Sequence, residues 1–262
     1  MKNLILATAF FLLVIGDAFS SVVILNGLTH TYSGRPGDYI QGELVLMNTT
    51  DREQRITFRL NDVLFSCGTT RVFSENTSHD QSSKTWFEGS LMDKVLLPRE
   101  KYIYKYSIHI PKNSTLKGSF WSALMIEVEK PVKEERLTAN IDLNTKIRYA
   151  VGLITNVNQF SEISLDFENI EMVRDTLKNN MLEINLFNAS RFVEGVRLSL
   201  EVYDAKGEKV LEKNSERPMV FPNMCKEFVL DINDLEKGDY ECILIADSRK
   251  EFVGTNLSLS IQ

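Results

Sequence analysis

An all-β chain of two sandwiches in tandem is what this sequence predicts, on three observations. From Ser21 onward the apolar residues recur with period two in short runs, without the long 3.6-residue period of helices. Turn residues punctuate those runs throughout. The 262 residues, 43% hydrophobic and 25% charged, suit a soluble globular chain with room for two cores. One large sandwich is the weaker alternative.

The opening "MKNLILATAFFLLVIGDAFS" stands apart. Lys2 precedes an apolar run from Leu4 to Ile15, interrupted only by the Thr8 hydroxyl, and small residues follow at Ala18 and Ser20. Twelve residues are too few to span the roughly 30 Å hydrocarbon layer as a helix. The pattern reads as a signal peptide over residues 1–20, removed on export to the periplasm or the cell exterior. No later apolar stretch reaches membrane length, so no transmembrane segment is expected after removal.

The first sandwich is expected over 21–155. "SVVILNGLTHTYSG" leads to the turn "RPGD" and then "YIQGELVLMNTT", where Gly42, Leu44 and Leu46 share a face. "RITFRLNDVLF" puts Ile56, Phe58 and Leu60 in phase, and the polar "SENTSHDQSSKTW" reads as a surface loop. "YIYKYSIHI" alternates clearly. "SFWSALMIEVE" is rich in aromatic and branched residues, and "IDLNTKIRYAVGLITNV" closes the unit. The boundary falls within "YAVGLITNVNQFSE", short enough that the two units should touch.

The second sandwich is expected over 156–262. Its strands read as "SEISLDFENIEMV", "NMLEINLFN", "EGVRLSLEVYD", "EKVLEK", "CKEFVLDI", "DYECILIADS" and "EFVGTNLSLSIQ". Short strands at this density, with turns such as "DAKG" between them, are the pattern of an immunoglobulin-like domain; a closed barrel needs similar strands. In "LEKGDYEC" a tyrosine follows an acidic-glycine turn two residues before Cys242, the layout of a tyrosine corner.

Three cysteines are too few for a disulfide-built scaffold. Cys225 and Cys242 flank the turn "INDLEKGDY" and invite pairing, but alternation puts Phe228, Leu230 and Ile232 on one face and Cys225 on the other. A buried free thiol at Cys242 is the favoured reading, with Cys67 a core filler or loop thiol. His30, His79 and His109 fit no metal spacing, and His79 is read as a loop residue. There is no nucleophile elbow, phosphate loop or dinucleotide turn. Glu127 and Glu129 share a strand face and read as solvated. No catalytic residue, metal or cofactor is expected, and the net charge of −6 disfavours nucleic acid as a partner.

The aromatics raise a different possibility. Phe120 and Trp121 are adjacent on a strand and so diverge, as do Trp86 and Phe87 if extended. One of each pair should face a partner, the neighbouring domain or solvent. Lys146 and Arg148 share a face on the strand leading to the junction. Possible partner-binding residues are therefore Trp86, Phe87, Phe120, Trp121, Lys146 and Arg148.

A signal peptide before two such units resembles the periplasmic pilus-assembly chaperones. "RPGDYIQGELVLMNTTDREQRITFRL", with Pro-Gly before a strand that ends in Asn, is similar to the first domain of bacterial WxL-interacting surface proteins; "LLPREKYIYKYSIHIPKNSTLKGSFWSALMIEVE" matches their later strands loosely. The surface-protein likeness implies non-enzymatic binding or scaffolding in the cell envelope, to an envelope protein or cell-wall polymer. The chaperone likeness implies an alternative, edge-strand donation to a surface-structure subunit whose carboxylate is held by a basic pair in the interdomain cleft. Arg148 and Lys146 are the basic residues nearest the junction, and the early arginine of the chaperones is lacking.

The exported protein is expected to begin near Ser21. Intact-mass measurement of the native form checks this, and a mature chain retaining Met1 contradicts it.

Overall fold

The computed structural model describes residues 21–65, 67–68, 71–129, 146–160, 162–249 and 251–261. The signal segment 1–20 lies outside them, as does the stretch 130–145, whose last five residues open the segment "IDLNTKIRYAVGLITNV" expected to be a strand. The described residues form nineteen strands and one three-residue turn of 3₁₀ helix. None of their helices is long and apolar enough to cross a membrane.

In the first half, one sheet runs in the order β1 (Val22–Ile24), β3 (Tyr39–Asn48), β8 (Lys101–His109), β6 (Phe87–Gly89). A second runs β2 (Thr29–Gly34), β10 (Ile147–Val157), β9 (Gly118–Glu129), β4 (Gln54–Phe65), β5 (Arg71–Ser74), with β7 (Lys94–Leu96) also paired to β4. The apolar alternation explains how they meet. Leu44, Leu46, Tyr104, Tyr106 and Ile108 of the first sheet share one core with Ile56, Phe58, Phe120, Leu124, Ile126 and Leu153 of the second. Burying each such side chain contributes about 1.5–3 kcal/mol. Gly42 is required because a Cβ there would lie 2.4 Å from the Tyr106 ring. The Tyr106 hydroxyl bonds that of Tyr32 at 2.7 Å, tying the two sheets together.

The second half holds a three-stranded sheet, β11 (Leu165–Arg174), β12 (Asn180–Asn188), β17 (Met224–Asp231), and a four-stranded one, β15 (Lys209–Asn214), β14 (Arg197–Tyr203), β18 (Gly238–Ser248), β19 (Glu251–Ile261). A small pair, β13 (Glu194–Gly195) with β16 (Met219–Val220), bridges the end. Leu182, Ile184, Leu200, Val202, Phe228 and Leu244 are among the residues of this separate core. Buried Glu194 accepts hydrogen bonds from Arg249 Nε at 2.8 Å, Arg249 Nη2 at 2.6 Å and Ser248 at 2.9 Å. The Arg249 guanidinium also covers Phe160, which fixes the connection after β10 against this half.

Each half ends one long strand on the same device. Asn48 ends β3, fully buried; its amide donates to the Arg52 and Leu97 carbonyls, and its oxygen accepts from the Thr50 amide and hydroxyl. Asn188 ends β12 and does the same with Phe192, Val220 and Ser190. The Asn-x-Ser/Thr sequence is thus a buried corner in each half, because the hydroxyl two residues on completes the asparagine oxygen's bonds. The Tyr240 hydroxyl donates to the Glu236 carbonyl at 3.0 Å, so the expected tyrosine corner is formed.

The cysteine reading needs correction. Cys67 bonds Cys225, 158 residues away, and is neither filler nor free thiol. Cys225 does sit on the face of β17 opposite Phe228 and Leu230, but that face meets the first half of the chain, where Cys67 waits. Closing so long a loop restricts the unfolded chain by about 5 kcal/mol in the chain-entropy account. Cys242 is buried and free, and burial raises its thiol to a pKa of about 11.

Asn188→Leu should lower unfolding free energy by about 1–3 kcal/mol for the groups left unbonded, read from urea denaturation. An unchanged midpoint would mean that solvent replaces those bonds.

Candidate interface between the halves and along β10

Strand β9 presents no face to water. Its even residues, Phe120, Leu124, Ile126 and Val128, fill the first core. Its odd residues Trp121, Ala123 and Met125 form a separate cluster with Val63 and Ile154, against which Phe65, Val193, Phe221 and Met224 pack. Trp121 stands edge-on to Phe221 with ring centroids 4.9 Å apart, and Phe65 stacks on Phe221 at 4.2 Å. The Trp121 indole donates to the Val63 carbonyl at 2.9 Å, so its polar edge is satisfied in the dry cluster.

Beside this apolar wedge runs a polar seam. The Ser119 amide donates to the Arg191 carbonyl at 2.8 Å, and the Val193 amide donates to the Ser119 hydroxyl, also at 2.8 Å. Gln81 donates to both the Ser119 and Arg191 carbonyls. Gly118, at φ 127°, allows this approach: a Cβ there would sit 2.5 Å from the Arg191 carbonyl oxygen. Apolar wedge, seam and disulfide together fix the two halves against each other.

Between them lies an open cleft of about 580 Å³, lined by Phe65, Phe73, Ala150, Gly152 and Phe221 among others. Arg71, Arg217 and Lys226 also line it. Arg217 is engaged by Asp247 and the Gly195 carbonyl. Among the described residues the side chains of Arg71 and Lys226 have no acidic partner.

One wall of the cleft is β10, whose two edges are unequal. On one side it pairs with β9 over its whole length, Ile147 to Val157. On the other it pairs with β2, in parallel, only from Gly152 to Val157. The Gly152 amide donates to the Leu28 carbonyl on the β2 side. Backbone groups alternate along a strand, so those of Arg148 and Ala150 point to that same side, beyond the end of the β2 ladder. Among the described residues no strand pairs with them. Among the described residues, this edge is open to a further strand.

The six residues singled out from sequence fall in different places. Trp86 and Phe120 are buried in the first core, their rings 4.5 Å apart. Phe87 is half-buried and stacks on Tyr106 at 5.5 Å. Trp121, 2% exposed, does lie outside that core, sealed by the second half. Trp86, Phe120 and Trp121 therefore offer no aromatic recognition surface in this chain. Arg148 pairs with Glu127 across the β10–β9 ladder, which also engages a carboxylate expected to be merely solvated. Arg148 lies six residues from Ile154, about 20 Å along the strand, so it marks the far end of β10 from the contact between the halves. Lys146 is exposed just before β10.

His79 is not a simple loop residue. It stacks on Trp121 at 4.2 Å and reaches to 3.6 Å from buried Asp62. Burial pushes its pKa down, opposed by the charges of Asp62 and Asp80. Asp62 accepts from the Ser82 hydroxyl at 2.6 Å. Sequence reasoning missed this cluster because its members lie on separate segments, and polar composition around His79 suggested solvent.

No protein-family model matches the chain, and no curated protein matches it significantly. Solved structures do. The chain is similar to one from the chaperone–tip adhesin complex of CFA/I fimbriae biogenesis, at 11% identity over 90% of this chain and 98% of that one, TM-score 0.49. It is similar to the class 5 fimbriae chaperone CfaA, at 12% identity over 92% and 100%, TM-score 0.48. The Salmonella enterica SafA pilin–SafB chaperone complex gives 16% identity over 93% and 99%, TM-score 0.45. With TM-scores below 0.5, these likenesses leave the functional argument to this chain's own residues.

Trp121→Ala should cost about 3–5 kcal/mol, because the wedge between the halves loses its largest member. Chemical unfolding checks this. A cost near zero would show the cluster to be solvent-filled.

Proposed function

We propose that this is a non-enzymatic binding protein of the cell envelope that captures a partner's extended segment on the open edge of β10, as an assembly chaperone does for a surface-structure subunit. The observation that carries the reading is the mismatch of the two β10 ladders, which leaves the backbone groups of Arg148 and Ala150 directed outward. An unpaired edge is a template for strand addition: main-chain hydrogen bonds supply affinity, and pockets for alternate side chains supply choice. Ala150 and Gly152 place that edge on the wall of the cleft. Aromatic residues there suit a partner's apolar side chains, and Arg71 and Lys226 suit a carboxylate. These two take the role that the sequence resemblance had suggested for Lys146 and Arg148. In this reading the halves are immunoglobulin-like sandwiches, 21–155 and 156–262, reaching the periplasm or cell exterior by the signal at 1–20.

The test is Ala150→Pro. Its backbone nitrogen points away from β9, so proline deletes an outward donor and spares the longer ladder. The variant should keep its thermal midpoint within a few degrees and lose at least tenfold in affinity for a subunit captured from native envelope. Arg148→Pro, the other outward donor, serves if Ala150→Pro fails to fold. Undiminished capture by a folded variant, or recovery of a cell-wall polymer in place of a protein, would overturn strand addition.

A further inference from the structure

We propose that the Cys67–Cys225 bond is a thiol–disulfide exchange site that locks the two halves together, attacked at Cys67 and guarded by the Glu168 carboxylate. The bond lies in neither core. Cys67 is in the loop between β4 and β5, and Cys225 is on the face of β17 turned away from Phe228 and Leu230. It joins two bodies otherwise held by the Trp121–Phe221 wedge, the Ser119 seam and the connection after β10. Opening it therefore leaves both cores intact and releases a constraint on their contact.

The two sulfurs are unequal. Cys225 is 8% exposed, whereas Cys67 is half-buried. An external thiolate reaches the Cys67 sulfur, and Cys225 is the leaving group. The chemistry balances with a dithiol, or two molecules of a monothiol, as reductant. Its first thiolate bonds Cys67 as the disulfide bond breaks, and Cys225 leaves as a thiolate and takes a proton from water. A second thiol, on the same dithiol or on a second monothiol molecule, then attacks the mixed disulfide and displaces Cys67 as a thiolate, so two electrons pass to the protein and the reductant ends as a disulfide. A disulfide-bearing oxidant reverses each step. Cys242 takes no part, being sealed in the second core.

Glu168 sets the rate. Its Oε2 lies 3.6 Å from the Cys67 sulfur, and the carboxylate itself is exposed. One donor atom each from Cys67, Glu168 and Cys225 falls within a 4.8 Å cluster. A fixed negative charge at the point of attack repels an anionic thiolate and attracts a thiol carrying a cationic group. Arg71 and Lys226 line the neighbouring cleft, so the effect is read by changing Glu168 alone.

The experiment uses the full mature chain, oxidised and then reduced under native conditions. With glutathione, Glu168→Gln should speed reduction about three- to fivefold. With cysteamine the same substitution should leave the rate unchanged or slow it. Hydrogen exchange at the Ser119 and Val193 amides, whose bonds cross the contact, should accelerate at least tenfold on reduction. Exchange at Leu124 and Leu244 in the two cores should not. Equal glutathione rates for both proteins would refute attack beside Glu168. Unchanged Ser119 and Val193 exchange, or loss of protection in both cores, would refute the lock, the latter making the bond a staple for folding. Cys67→Ser with Cys225→Ser should reproduce the reduced chain's exchange pattern without any reductant.

Discussion

Burial of β9 on both faces is the constraint on which the arrangement of this protein depends. A strand with one wet face would have let the first half stand alone. Here Trp121, Ala123 and Met125 would form an exposed apolar stripe if the second half were absent. Val193, Phe221 and Met224 cover it, and the Ser119 seam sets the register of that contact. The cleft, its cations and the approach to β10 all follow from where the second half must sit. Gly118 has no Cβ because the same contact brings a carbonyl too near.

Much of the strand plan could be read from the sequence. The alternation in residues 39–48, 180–188 and 119–129 lies within β3, β12 and β9, because side-chain period two is a local property. Divergence of Phe120 and Trp121 was legible for the same reason. What Trp121 diverges toward was not, since Phe221 is a hundred residues distant and only the packed chain brings it near. The disulfide shows the same limit. Parity placed Cys225 correctly on the outward face, but no local rule points from there to Cys67, whose position depends on the loop after β4.

The edge of β10 was the least legible feature. Its openness is a difference between two ladder lengths, one set by β9 and the other by where β2 begins. Neither is written in residues 147–151 themselves. Arg148 drew notice as a basic residue near a boundary, yet its side chain answers Glu127, while its backbone contributes to the edge. A charge pattern identified the right stretch of chain for the wrong chemical group.

The paired asparagine corners carry a consequence for making this protein. Five Asn-x-Ser/Thr triplets occur, at Asn48, Asn76, Asn113, Asn188 and Asn256. Asn76, Asn113 and Asn256 are exposed, but Asn48 and Asn188 are fully enclosed with their amide nitrogens committed to loop carbonyls. A eukaryotic secretory host attaches glycans to such triplets as the chain emerges, before either corner closes. A sugar placed on Asn48 or Asn188 would take the amide that each corner needs and would hold open the end of a core. Bacterial expression, or replacement of Thr50 and Ser190 by alanine at some loss of stability, avoids trapping the chain in that unfinished state.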